Sequence, residues 1–124
     1  MIHDLIHKDL SEAIIGAAMT VLNTLKPGLN EKIYENALAI ELCKRGHKVE
    51  QQRRFPVYYA GQLVGELVPD MIVDDLVIAD PKIVTNWNDS HQAQMIGYLQ
   101  ITELRLALLL NFKNSKLDWK RIVR

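Results

Sequence analysis

The sequence predicts an α/β protein, a three-layer α/β/α sandwich with a mixed central sheet. Three observations carry that expectation. Two segments near the N-terminus repeat apolar residues at helical spacing. From Lys48 onward the apolar period changes to two. One helical segment beginning at His91 then separates two apolar runs, the strand–helix–strand order of a crossover. The expected order is α-α-β-β-β-β-α-β-β, without an internal repeat, low-complexity segment or linker, so residues 1–124 read as a single domain.

The first helix is expected from Leu10 to about Leu25, with Ser11 as its cap and Ile14, Ile15, Ala18, Met19, Leu22 and Leu25 on its apolar face. Gly16, Ala17 and Ala18 predict close packing on a neighbour. Lys26-Pro27-Gly28 ends it, because proline breaks the hydrogen-bond ladder and glycine accepts a left-handed turn. A second helix follows from Asn30 or Glu31 to Arg45, capped by Asn30 and stopped by Gly46. Its apolar face is Ile33, Tyr34, Ala37, Leu38 and Leu42. Val49 opens a strand that ends near Arg53-Arg54, and Pro56 to Gly65 reads as a hairpin turning at Gly61. Thr85 to Ser90 is polar and irregular. His91 to about Ile101 is helical, with Ala93, Met95, Ile96 and Leu99 on one side. Leu104 to Phe112 is a nearly continuous apolar run, which favours a buried strand. Asn114-Ser115 turns the chain into a last edge strand, Trp119 to Val123.

Composition is that of an ordinary globular chain, 48% hydrophobic and 24% charged over 124 residues. Formal net charge is zero, so there is no global electrostatic footprint for nucleic acid. Lys113, Lys116, Lys120, Arg121 and Arg124 crowd the C-terminus, and Arg53-Arg54 makes a smaller basic spot. Such clusters serve either as a solvated face or as a rim that contacts phosphates. A single cysteine excludes a disulfide framework. Cys43 lies beside Leu42 and is expected to be a buried thiol, consistent with a reducing cytosol. Met1 to Asp9 mixes charges and does not resemble a signal peptide, and no segment reaches the length of a membrane span. The expectation is a cytoplasmic protein without membrane contact.

Chemistry concentrates between Glu66 and Lys82, which hold five carboxylates and no base before Lys82. Met71-Ile72-Val73 and Leu76-Val77-Ile78 flank Asp74-Asp75, the pattern of a β-hairpin. Closing that hairpin brings Asp70 and Asp80 together on neighbouring strands. Two acidic oxygens with a lysine two residues on suit a divalent metal and a positioned water. The competing reading makes Asp70, Asp74 and Asp75 turn residues and lets Asp80-Pro81 simply end a strand.

Gly28-Leu29-Asn30-Glu31-Lys32-Ile33-Tyr34 matches the Gly-x-x-Glu-x-x-Tyr signature. Around it stand Ile14-Ile15-Gly16-Ala17-Ala18, Lys26-Pro27-Gly28-Leu29, Pro56-Val57-Tyr58-Tyr59 and His91-x-Ala93-Gln94-x-x-x-Tyr98-Leu99. Leu108-Leu109-Leu110-Asn111-Phe112 and Lys120-Arg121-Ile122-Val123 complete the series. From about Leu10 to Val123 the chain resembles the GxxExxY proteins, small members of the PD-(D/E)XK nuclease superfamily with a restriction-endonuclease-like fold.

The resemblance implies roles residue by residue. Its PD falls on Pro69-Asp70 and its acid-x-lysine on Asp80-Pro81-Lys82. The helix glutamate is Glu31 and the glutamine is Gln94. Asp70, Asp80, Glu31 and the Pro81 carbonyl would hold Mg²⁺ or Mn²⁺. Lys82 would orient the attacking water, and Gln94 would hold that water or the phosphate. Tyr34 would pack behind the site or reach it with its hydroxyl, whereas His91 belongs to a helix start. The implied activity is a metal-dependent nuclease acting on DNA or RNA. The alternative is a catalytically impaired nuclease-fold protein that binds nucleic acid or a protein partner. It rests on the neutral charge and on Pro81, since proline cannot donate to a sheet ladder and is normally confined to edges and bulges. A third reading is a homodimer pairing through apolar surface near Trp87 or Trp119.

Overall fold

The computed structural model describes residues 6–124. Met1 to Leu5, part of the segment expected to lack a signal peptide, lie outside the described residues. In chain order the elements are α1 (Lys8–Leu25), α2 (Glu31–Lys44), β1 (Val49–Gln51), β2 (Phe55–Tyr59), β3 (Gln62–Leu67), β4 (Met71–Val73), β5 (Val77–Lys82), α3 (Asp89–Thr102), β6 (Leu106–Asn111) and β7 (Asp118–Val123). Five strands therefore precede α3, a strand and two hairpins as the separate segments suggest, one more than the order α-α-β-β-β-β-α-β-β counts. The stretch from Val49 to Tyr59 is broken at Gln52, whose φ of 58° turns the chain out of the main sheet.

The main sheet runs β1-β4-β5-β6-β7 and is mixed, with β5 and β6 parallel and the other neighbours antiparallel. β2 and β3 pair only with each other. Residues of alternate parity along each strand face opposite layers. Met71, Val73, Val77, Ala79, Leu106, Leu108 and Leu110 pack against α1 and α2. Ile72, Ile78, Ala107, Leu109 and Ile122 pack against Met95 and Leu99 of α3, with Phe55 and Trp87 at the margin. That is the expected three-layer sandwich. β6 is buried throughout because it lies between two strands and under helices on both faces, which explains its unbroken run of leucines.

Several expectations need correction. α1 begins at Lys8, after a left-handed His7, so Ser11 lies inside the helix. Its hydroxyl donates to the Lys8 carbonyl and accepts from Arg121 instead of capping. Met19 and Leu25 are largely exposed, because the buried stripe runs through Ile14, Ala17, Ala18, Val21 and Leu22. On α2 the buried face is Tyr34, Leu38 and Leu42, four residues apart, and Ile33 faces outward. Cys43 is exposed: one step past Leu42 is a turn of about 100° around the helix, away from the sheet. Ala93 and Ile96 of α3 are also exposed, since its contact with the sheet is a narrow line through Met95 and Leu99. Arg121 and Arg124 of the basic tail are drawn inward, donating to the carbonyls of Ile6, Leu104 and Glu103. Among the described residues, no helix is long and apolar enough to cross a membrane.

Candidate active site

The site begins with a turn. Asp74 and Asp75 both adopt positive φ, 54° and 59°, which joins β4 to β5 with the twist a hairpin requires. Asp74 fixes that turn from its side chain: Oδ2 lies 2.7 Å from His47 Nδ1 and Oδ1 accepts from the Lys48 amide at 2.8 Å. Desolvation raises the Asp74 pKa, but these two hydrogen bonds outweigh it and the net shift is downward. Asp74 and Asp75 are thus turn residues, at the far end of the hairpin from any site. The pairing they set, Met71 with Ala79, leaves Asp70 beside Asp80 one step further along.

Glu31 arrives from the opposite layer. Gly28, with φ of 109°, makes the bend that precedes α2, and Asn30 caps the helix by accepting from the Ile33 amide. Tyr34 is fully buried, stacked on Phe112 with ring centroids 4.8 Å apart. Its hydroxyl donates to the Lys26 carbonyl and accepts from the Leu29 amide. Tyr34 therefore packs behind the site and holds the loop from which Glu31 emerges. Glu31, Asp70 and Asp80 converge: one carboxylate oxygen of each lies within 4.8 Å of the others.

Burial is uneven across this trio. Asp80 is 2% exposed, and its Oδ1 accepts no hydrogen bond. The Lys82 ammonium lies 3.4 Å from that oxygen, close enough to attract without hydrogen-bond geometry. Burial, then the adjacent Asp70 carboxylate, pushes the Asp80 pKa up to about 8, with Lys82 pulling the other way. Glu31 is also raised, first by desolvation, with Lys82 opposing and Asp70 adding to the rise. An orphaned buried oxygen beside two further carboxylates is a donor set that fits a hard divalent cation.

Lys82 Nζ donates to Gln94 Oε1 at 3.2 Å, and Gln94 Nε2 donates to the Tyr98 hydroxyl at 3.3 Å. Gln94 thus meets Lys82 across the α3–sheet gap. Desolvation and the negative fields of Asp80 and Asp70 raise the Tyr98 pKa, so that hydroxyl belongs to the same electrostatic neighbourhood. Tyr98 did not figure among the expected site residues, although its four-residue spacing from Gln94 puts both on one helix face. His91 stays at the helix start, where it closes a capping box with Asn88. Asn111 is a further addition: buried, it brackets Val84 with two hydrogen bonds and fixes the segment leaving Lys82.

Pro81 does not break β5. The Phe112 amide bonds to the Lys82 carbonyl, so Lys82 points its backbone toward β6 and Pro81, by alternation, points the other way. On that side β4 has already ended at Met71, and the position opposite is Pro69. The missing N–H therefore faces no ladder partner.

A search of curated proteins finds no match. Among solved structures, the chain is similar to an alkaline exonuclease from Laribacter hongkongensis, at 13% identity and a TM-score of 0.50, over 86% of this chain and 76% of that one. At that identity the likeness shows the fold. The sequence profile of the PD-(D/E)XK nuclease superfamily matches residues 8–122, a span that takes in Glu31, Asp70, Asp80, Lys82 and Gln94. The chain belongs to the PD-(D/E)XK nuclease superfamily.

Proposed function

We propose that this protein is a Mg²⁺- or Mn²⁺-dependent nuclease of the GxxExxY type that hydrolyses phosphodiester bonds in DNA or RNA. The observation that carries the reading is the convergence of Glu31, Asp70 and Asp80 beside Lys82. The three carboxylates and the Pro81 carbonyl, which faces the side that β4 vacates, would hold the cation. When bound, it supplies charge stabilisation to the scissile phosphate and its leaving oxygen. Lys82, anchored by Gln94, orients the water that attacks phosphorus and offsets the negative charge gathering there. Gln94 also ties Lys82 to Tyr98, which limits the rotamers open to the ammonium. Water adds to phosphorus, the P–O bond to the leaving group breaks, and the proton lost by the water passes to solvent.

Binding without cleavage had Pro81 as its main support. With β5 in register through Pro81 to Lys82, we place cleavage first. The half-exposed Trp119 on the edge strand β7 supports the homodimer as a further proposal, to be read by sedimentation.

The test is cleavage of labelled single- and double-stranded DNA and RNA with Mg²⁺ or Mn²⁺. Asp70→Ala and Lys82→Ala are each expected to abolish cleavage and leave the circular dichroism spectrum unchanged. Cleavage surviving both substitutions would show that the catalytic groups lie elsewhere.

A further inference from the structure

Glu35 lies one helical turn beyond Glu31 on α2, on the same face. It is a charged residue only 4% exposed, outside the carboxylate trio. Its Oε2 accepts three hydrogen bonds, from Lys32 Nζ at 3.0 Å, Gln51 Nε2 at 2.8 Å and Gln52 Nε2 at 3.2 Å. Lys32 is on the same helix and half exposed, so that pair stabilises α2 locally and weakly. The two glutamines belong to a different layer. Gln51 is the last residue of β1 and pairs with Met71; its amide also donates to Asn36. Gln52 donates its backbone N–H to the Asp70 carbonyl at 3.1 Å.

Gln52 does this from a left-handed conformation, φ 58°, which a side chain with a β-carbon adopts at a cost. A glycine would avoid that cost, but it has no side-chain amide to reach Glu35. Glu35 thus grips Gln52, which holds the backbone of Asp70, and Gln51, which pairs with Met71 beside it, from the helix that carries Glu31. We propose that Glu35 is a positioning residue: through Gln51 and Gln52 it sets the separation of Glu31 from Asp70, and so the affinity of the site for a divalent cation. This rests on the metal-dependent reading of the site given above.

The experiment titrates Mn²⁺ by calorimetry into wild type, Glu35→Leu, Glu35→Gln and Gln52→Gly, beside thermal unfolding of each without metal. Glu35→Leu and Gln52→Gly are expected to bind Mn²⁺ about 10- to 100-fold more weakly, the range seen when groups supporting metal ligands are removed. Glu35→Gln keeps an acceptor oxygen for both glutamine amides and is expected to retain most of the affinity. Gln52→Gly relieves the left-handed φ but gives up one of three hydrogen bonds to Glu35 and frees the unfolded chain. It is expected to melt as one cooperative unit close to wild type, so its weaker binding would not come from loss of the fold. Wild-type affinity in Gln52→Gly would overturn the proposal. So would Glu35→Gln binding as poorly as Glu35→Leu, since charge and not anchoring would then govern affinity. Should Glu35→Leu fail to fold, the other two variants decide. A wild type that binds no Mn²⁺ would sink the metal reading and this role with it. A wild type that binds, with Gln52→Gly unchanged, would remove this role alone.

Discussion

With its carboxyl pushed up to about 8, Asp80 stays neutral near physiological pH until a cation displaces its proton. In the unfolded chain the same group ionises near pH ~4. Between those values the folded state holds a proton that the unfolded state has released, so stability falls as pH rises from about 4 to about 8. Asp80→Asn removes the titration. In chelator, it is expected to flatten that slope and to unfold at a higher temperature than wild type at pH 8, since each tenfold difference in proton affinity between the two states is worth about 1.4 kcal/mol. Thermal melts across the neutral range and on either side of it measure this. Mn²⁺ affinity of the wild type is expected to weaken as pH drops below about 8, because the cation then competes with that proton. That Asp70, Asp80 and Lys82 come together was legible in the sequence because a hairpin fixes which residues stand opposite each other. The positions of Tyr98 beside Gln94 and of Glu35 beside Gln51 and Gln52 were not. Each is a polar residue on a helix, and only the angle at which the helix lies on the sheet distinguishes it from a surface residue.

At the scale of elements, β5 decides whether the acid and the lysine share a face. Asp80 and Lys82 are two apart on a continuous strand, and both turn toward α3, where Gln94 waits. In the sequence Pro81 looked like a break in that strand. Its harmlessness depends on where β4 stops, and strand ends are set by pairing partners that no local pattern shows. Pro81→Ala is accordingly expected to cost less than about 1 kcal/mol, chiefly through added freedom in the unfolded chain. Its Mn²⁺ affinity should match wild type, as checked by urea melts and calorimetry. Tighter binding in the variant would mean that proline distorts the acid-x-lysine run after all. Of the helices, α2 was read well at its ends, where Asn30 and Gly46 act through local chemistry. It was read less well around its circumference, as Cys43 and Ile33 illustrate, because exposure depends on the neighbouring layer.

Across the whole molecule, the carboxylate trio joins parts that meet mainly by packing and by the hydrogen bonds of Glu35 and Asn36 to Gln51 and Gln52. Glu31 comes from the helical layer, Asp80 from the centre of the sheet and Asp70 from the residue just before the strand beside it. A cation held by all three would cross-link two layers of the folded chain and have no equivalent in the unfolded one. Mn²⁺ at about a hundred times its dissociation constant is expected to add about 2.7 kcal/mol of stability. That would raise the unfolding midpoint by roughly 10 °C, read by a thermal melt with and without the ion. The layered architecture itself was legible from the apolar pattern, since a fully buried strand such as β6 and a partly exposed edge strand such as β7 leave different marks. The pairing of β2 with β3 was legible from the turn at Gly61, but their departure from the main sheet was not, because the left-handed turn at Gln52 has no glycine to announce it.

That hairpin has a consequence of its own. The chain leaves the main sheet at Gln52 and returns at Asp70, and the bond between those two residues closes the neck of the excursion. Phe55 roots it against the α3 layer, while Tyr58, Tyr59, Leu63 and Val64 near the tip stay largely in solvent. A branch whose ends are already tied can grow, shrink or be replaced at little entropic cost, since closure depends only weakly on length. Beyond Phe55 and Leu67, descendants of this chain are free to vary the outer hairpin in length and composition while Asp70 keeps its place.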